Sequence, residues 1–323
     1  QVTCGILGQV QPLAVAASGR RELLYLVPAV LVARILSIVM MFVQCRRHVP
    51  LVGRPRVDRR HLKPMLGYGG WMSLLSILGP LLVTIDRLII ASMSGARAVA
   101  QYTVPYDLVS RVMVISGSLS NALFPRLASA GMNEGKLLAS NASATLVAVV
   151  TPITIVGLSL LQPFLAVWVG TEFAVASTGV GEFILLGVWA NAIVIPHNTR
   201  YLAAENPRTV VFILAAEIPF YMFSLWYGIT HRGVVGASAA WSLRVIVDTV
   251  ILIRLNGVLA LTLRTTMPSL LLVAAAGAVL LFVARPDIQL TVVGLLLTLS
   301  FAKDQNIFRT AYRHIRSQGE ATV

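Results

Sequence analysis

Runs of about twenty apolar residues recur along this chain, and that recurrence limits the fold more than any other feature. A helix rises about 1.5 Å per residue, so each run matches a hydrocarbon core roughly 30 Å thick. Spans are predicted at 23–43, 67–91, 103–128, 137–161, 179–201, 209–229, 234–254, 267–285 and 288–303. Barrel strands would show shorter, alternating segments. The expected fold class is all-α: a polytopic helical membrane protein with about nine transmembrane helices. The content of charged residues agrees, at 12% against about 25% in soluble domains.

Lys and Arg number 26 against 13 Asp and Glu, a formal charge of +13. In a soluble protein this would raise nucleic acid as a partner. Here the cations gather between spans, which points to topology and anionic membrane lipids and away from nucleic acid. Residues 44–66 hold Arg46, Arg47, Arg54, Arg56, Arg59, Arg60 and Lys63, so this connection is expected in the cytoplasm. Alternation then places 129–136, 202–208, 255–266 and the C-terminus inside as well. The opposite connections, 92–102, 162–178, 230–233 and 286–287, hold only Arg97 and Arg232. The longest of these, 162–178, has room for a short interfacial segment anchored by Trp168. The expected arrangement is multi-pass, with a cytoplasmic C-terminus.

No GxxxxGK[ST] loop, GxSxG elbow or HExxH helix occurs, so neither ATP hydrolysis nor a familiar enzyme site is expected, and no cofactor. Cys4 and Cys45 flank a predicted span, and no Cys/His spacing suits a metal. The first residue is Gln1, no signal peptide is visible, and a fragment or processed product is one reading.

Charges inside spans are the candidate functional groups, since each costs at least ~2.5–3.5 kcal/mol at mid-membrane. In YTVPYDLVSRVMVISGSLSNALFPR (102–126), Asp107, Arg111, Ser118 and Asn121 fall on one helical stripe. Two readings stand: an i, i+4 ion pair between Asp107 and Arg111, or a polar wall of a water-filled cavity. Arg87 follows Asp86 directly, pointing about 100° away from it, so snorkelling outward and a functional role are both open. Arg244 has Asp248 one turn on, after the small residues Gly236, Ala237, Ala239 and Ala240. Arg34 lacks an acidic neighbour in its own helix. Glu217 lies mid-span beside Pro219 with no basic residue within a turn. A lone buried carboxyl tends to hold a proton, which makes Glu217 a candidate H⁺ or Na⁺ coupling site, with an interhelical hydrogen-bond donor as the plain alternative. Asn191 suits a helix–helix contact. Gly79-Pro80, Pro152, Pro196 and Pro219 are expected to kink their spans.

From Tyr68 to Ala128 the chain resembles the Wzx-type polysaccharide flippases of the multidrug/oligosaccharidyl-lipid/polysaccharide exporter superfamily. The residues carrying the likeness are Gly70-Trp71, Asp86-Arg87, Ser94-Gly95-Ala96 before Tyr102, Tyr106-Asp107 and Leu123-Phe124-Pro125-Arg126. The later GASAAWSLRVIVD (236–248) is also similar. The resemblance implies a MATE-like fold of two six-helix lobes with further helices. It implies an end of the first lobe at 1–43, a basic linker at 44–66, a second lobe at 67–254, two added helices at 255–303 and a basic tail at 304–323. About five helices of such a fold would be absent. The implied activity is translocation of an undecaprenyl-diphosphate-linked oligosaccharide by alternating access, coupled to H⁺ or Na⁺ and working beside polymerase or ligase machinery. Guanidinium groups bind phosphate oxygens bidentately, so Arg111 and Arg244 are the expected diphosphate or sugar contacts. Asp107 and Asp248 would orient them, with Asn121 and Arg87 beside them and Glu217 as the coupling site. The alternatives are a drug/cation antiporter of the same fold, a membrane polymerase or ligase enzyme, and a non-functional fragment.

Overall fold

The computed structural model describes residues 59–204, 207–282 and 291–305, with scattered positions between 31 and 46 and residue 289. The chain divides into two compact units, Gln1–Leu62 and Lys63–Val323. In the first, the described positions between 31 and 46 are helical, and the Arg46 guanidinium lies 5.5 Å from the Phe42 ring centre. Most of the predicted span 23–43, with Arg34, Cys4, Cys45 and Arg54, lies outside the described residues.

The second unit is built from α1 (Arg59–Ser110) from Lys63 onward, α2 (Met113–Ser129), α3 (Met132–Trp168), α4 (Thr171–Ala204), α5 (Pro207–Leu255), α6 (Leu259–Phe282) and α7 (291–305). No strand occurs among the described residues. Five of these helices are long and apolar enough to cross a membrane. Two of them are hairpins. Gly95 (φ 79°, ψ 177°) divides α1 into α1a (59–94) and α1b (96–110), and Gly233 (φ 57°, ψ −138°) divides α5 into α5a (207–232) and α5b (234–255). Only glycine adopts such angles readily, so one residue reverses the chain where a loop would otherwise be needed.

This corrects the expected outer connections. Residues 92–102 are helical on both sides of Gly95, and 162–178 shrinks to the turn at Val169-Gly170. No interfacial segment forms there, although Trp168 is exposed at the tip. The helices run on up to these turns. Pro80, Pro152, Pro196 and Pro219 all sit inside continuous helix. The break falls instead at Arg111-Val112, between α1b and α2, where i→i−3 bonds (Val112 N to Val109 O, 3.1 Å; Val114 N to Arg111 O, 3.2 Å) tighten one turn.

Helix α4 is the centre of the unit. It packs against α2, α3 and α5, and 61% of its most apolar window is buried, against 17% for α1. Lipid tails are as apolar as leucine, so burial alone does not hold such helices together; close packing and interhelical hydrogen bonds do. Both are present around α4. Gly187 leaves room for the Trp241 ring and Ser242 of α5b. Ser143 Oγ donates to Ile193 O at 2.8 Å, and Trp189 Nε1 to Thr151 Oγ1 at 3.0 Å. The hairpin α5a–α5b closes on two glycines: a β-carbon on Gly228 or Gly236 would strike the carbonyl of the other.

Candidate functional site

The charged residues of four helical segments, α1a, α1b, α5a and α5b, meet in one network, buried at Asp86 and Glu217 and open at Asp107. Asp86 of α1a is fully buried and accepts hydrogen bonds from Tyr102 of α1b (3.0 Å) and Tyr221 of α5a. Tyr102 and Tyr221 are themselves 1% and 0% exposed, so the carboxylate is held by two donors that have no other outlet. Asp86 thus ties α1a, α1b and α5a together. Sequence reasoning missed it as a site, although Asp86 stood in plain view beside Arg87.

Arg87, one residue on, does turn in a different direction. Its Nη2 donates to Asp107 Oδ1 at 2.9 Å, and its guanidinium lies 5.6 Å from the Tyr106 ring centre. Tyr106 in turn meets Trp241 edge-on at 5.5 Å. Arg87 therefore does not snorkel outward; it closes the α1 hairpin. The first of the two readings of Asp107 and Arg111, an ion pair between them, is not realised. Arg87 takes Asp107, and the tightened turn at Arg111 leaves that guanidinium exposed, with no side-chain partner among the described residues. Asp107, Arg111, Ser118 and Asn121 are all exposed on the α1b–α2 path, while Val109 is buried and Val112, Met113, Leu119 and Leu123 are half-buried or nearly so.

Glu217 is not a lone carboxyl. Arg244 Nη1 of α5b lies 3.8 Å from Glu217 Oε2, an ion pair too long for a hydrogen bond, and the Asp248 carboxyl adjoins it. The expected Arg244–Asp248 partnership is therefore a triad in which Glu217 is the closest carboxyl to Arg244. The Arg244 guanidinium also lies 5.3 Å from the Tyr221 ring centre, which links the triad to Asp86. The hairpin at Gly233 brings these residues together.

The network holds four carboxyls (Asp86, Asp107, Glu217, Asp248) against two guanidinium groups (Arg87, Arg244). In a low-dielectric setting an excess of negative charge requires protons or cations. Two cavities reach it. One of about 270 Å³ is lined by Asp248 and Asn198 with Leu75 and Gly79, and one of about 380 Å³ by Glu217 with Phe212 and Phe220. Glu217 and Asp248 thus stand between two spaces, one on each side of the α5 hairpin.

A second buried polar group was also missed. Arg200 of α4, 2% exposed, donates to Asn256 Oδ1 at the turn after α5b and lies against Gly135 at the start of α3. Neighbouring His197 is fully buried, with no partner for either ring nitrogen among the described residues. Asn191 is half-buried and its Oδ1 is likewise without a partner. No cluster of three or more potential metal ligands occurs among the described residues.

A family model described as "Polysaccharide biosynthesis protein" matches residues 3–178. A protein of Shigella flexneri named "Putative O-antigen transporter" is 26% identical over 227 residues, covering 70% of this chain and 54% of that protein. The chain spans about half the length of the curated relative it matches. No solved structure matches.

Proposed function

We propose, from the premise that this chain belongs to the polysaccharide biosynthesis protein family, that it forms part of a transporter carrying a lipid-linked oligosaccharide across the cytoplasmic membrane. The relative's name supports a polysaccharide cargo, and the apolar helices support a multi-pass membrane protein. The transport mode is alternating access, with no covalent chemistry on the cargo. Residues 67–254 act as one moving lobe, joined through the basic connection 44–66 to whatever precedes it, and 255–303 ride with that lobe. The C-terminus faces the cytoplasm.

The observation that carries the reading is the state of Arg111. It is exposed at a tightened turn, free of Asp107, at the head of a polar stripe continuing through Ser118 to Asn121. A planar guanidinium so placed suits a diphosphate. Arg244 is half-buried, engaged with Glu217, and contacts cargo only if that triad opens. In this proposal Arg87 and Asp107 hold the hairpin that presents Arg111, while Glu217 and Asp248 bind the coupling H⁺ or Na⁺. The excess of carboxyls suits cation coupling in a drug antiporter equally well, so the decisive group is Arg111.

The test uses the full-length protein in a strain lacking its own flippase. Arg111→Ala should abolish surface polysaccharide while membrane abundance stays normal, and Arg111→Lys should restore only part, because lysine lacks the planar fork. Wild-type polymer from Arg111→Ala would remove this residue from the mechanism.

A further inference from the structure

Helix α6 packs mainly on α3 and meets α5 sparsely. The gap this leaves is an apolar groove of about 350 Å³ between α4, α5b and α6. Its lining runs along α6 from Leu259 to Ala274, about 22 Å of helix, or roughly three-quarters of the hydrocarbon core. Trp189 of α4 and Val250 of α5b form its other walls. One end of the groove lies at the tight turn Asn256–Val258 that joins α5b to α6.

Cations lie close to that end along the chain. Arg254, in the last turn of α5b, continues the row of the lining residues Ile246 and Val250, one turn further on. Arg264 follows the lining residue Leu263 on α6. Both arginines are exposed, and neither has an acidic partner among the described residues. The Lys136 ammonium stands beside Gly257 of the turn, 3.8 Å from where a β-carbon there would lie. An apolar trough of this length, with an exposed arginine on α5b and another on α6 outside its lining but close in sequence to one end, has the chemistry of a single lipid: a chain beside a phosphate.

We propose that this groove binds one anionic glycerophospholipid, its phosphate between Arg254 and Arg264 and one acyl chain along α6. The bound lipid fills the space that α5 and α6 leave between them and fixes α6 to the lobe. A single extended acyl chain fits a lining of this length better than a long isoprenoid, most of which would project from the groove.

The experiment is native mass spectrometry of the full-length protein in detergent, with equal amounts of phosphatidylglycerol and phosphatidylcholine of identical chains. Wild type should retain phosphatidylglycerol about tenfold over phosphatidylcholine, and Arg254→Gln/Arg264→Gln should bring the ratio near one. Ala274→Trp, which fills the groove and leaves both arginines in place, should also lose the preference. Equal retention of the two lipids by wild type, or an unchanged ratio in the arginine variant, overturns the site. Displacement of phosphatidylglycerol by undecaprenyl phosphate assigns the groove to a carrier lipid and overturns it too. None of these outcomes depends on transport, so the site can fail while the transport reading stands.

Discussion

Arg87 and Asp107 meet across the hairpin that Gly95 folds, at 2.9 Å, and so leave Arg111 without the carboxylate one turn before it. This moves the partner of Asp107 from its own helix to the preceding one. The pair is partly open, at 34% and 54% side-chain exposure, so its worth is at most about 1 kcal/mol. Double-mutant cycles on thermal stability should therefore find a small positive coupling between Asp107 and Arg87, and none between Asp107 and Arg111. Asp107→Asn/Arg111→Gln should be abundant in the membrane and export no polymer. Normal export by that double variant would make the exposed stripe a structural feature only.

Asp86 offers a sharper test of stability, because it is fully buried between two buried tyrosines. Hydrogen bonds to charged groups contribute about 1.5–3 kcal/mol each. Tyr102→Phe and Tyr221→Phe should each lower stability by about that amount, measured by melting in detergent. The double change should cost more than the sum of the singles, since the carboxylate is then left without either donor. Singles within about 0.5 kcal/mol of wild type would mean that Asp86 is satisfied some other way.

The all-α class and its apolar, membrane-length helices were legible because a bilayer imposes one length and one composition on every helix that crosses it. Turns were not. Ser94-Gly95-Ala96 and Arg232-Gly233-Val234 look like parts of polar connections, and only their backbone angles show that one glycine does the work of a loop. The stripe from Asp107 to Asn121 was legible because it lies on one helix with a fixed period. Its pairing was not, because Arg87 comes from the preceding helix. Distance in sequence hid the rest: Tyr221 reaches Asp86 across 135 residues, and no local pattern announces that. The small residues Gly236 and Ala237 did signal close helix contact. Followed one step further, they would have placed Arg244 beside Glu217.

Those small residues carry their own prediction. Gly228 and Gly236 face each other across the α5 hairpin, where a β-carbon on either would meet backbone rather than a mobile side chain. Backbone cannot swing aside, so Gly236→Ala and Gly228→Ala should each push α5a from α5b and disturb the Glu217–Arg244–Asp248 triad. Loss of folded protein, by about 1–3 kcal/mol in stability, is the expected outcome. Gly277→Ala on α6 serves as the control, since open space surrounds that position. If Gly236→Ala melts with Gly277→Ala, the hairpin is looser than the glycine contact requires.

Helix α3 supplies the test of orientation. Its 37 residues make about 55 Å, more than the 40–45 Å of a bilayer with its headgroups. Residues just beyond its two ends must then emerge on opposite sides if it crosses. Asn133, near its start, and Thr171, just past its end, are both exposed and suit a maleimide probe. In a background with Cys4 and Cys45 replaced by serine, Asn133→Cys should react only with reagent admitted to the cytoplasm. Thr171→Cys should react from outside in intact cells. The basic connection fixes which side is which: Arg54→Cys should follow Asn133→Cys, because seven Lys and Arg between 44 and 66 hold that segment inside. Labelling of positions 54 and 171 from the same side would undo the count of crossings between them. Labelling of both from the cytoplasm would also move Arg254 and Arg264, with the anionic lipid assigned to them, to the opposite leaflet.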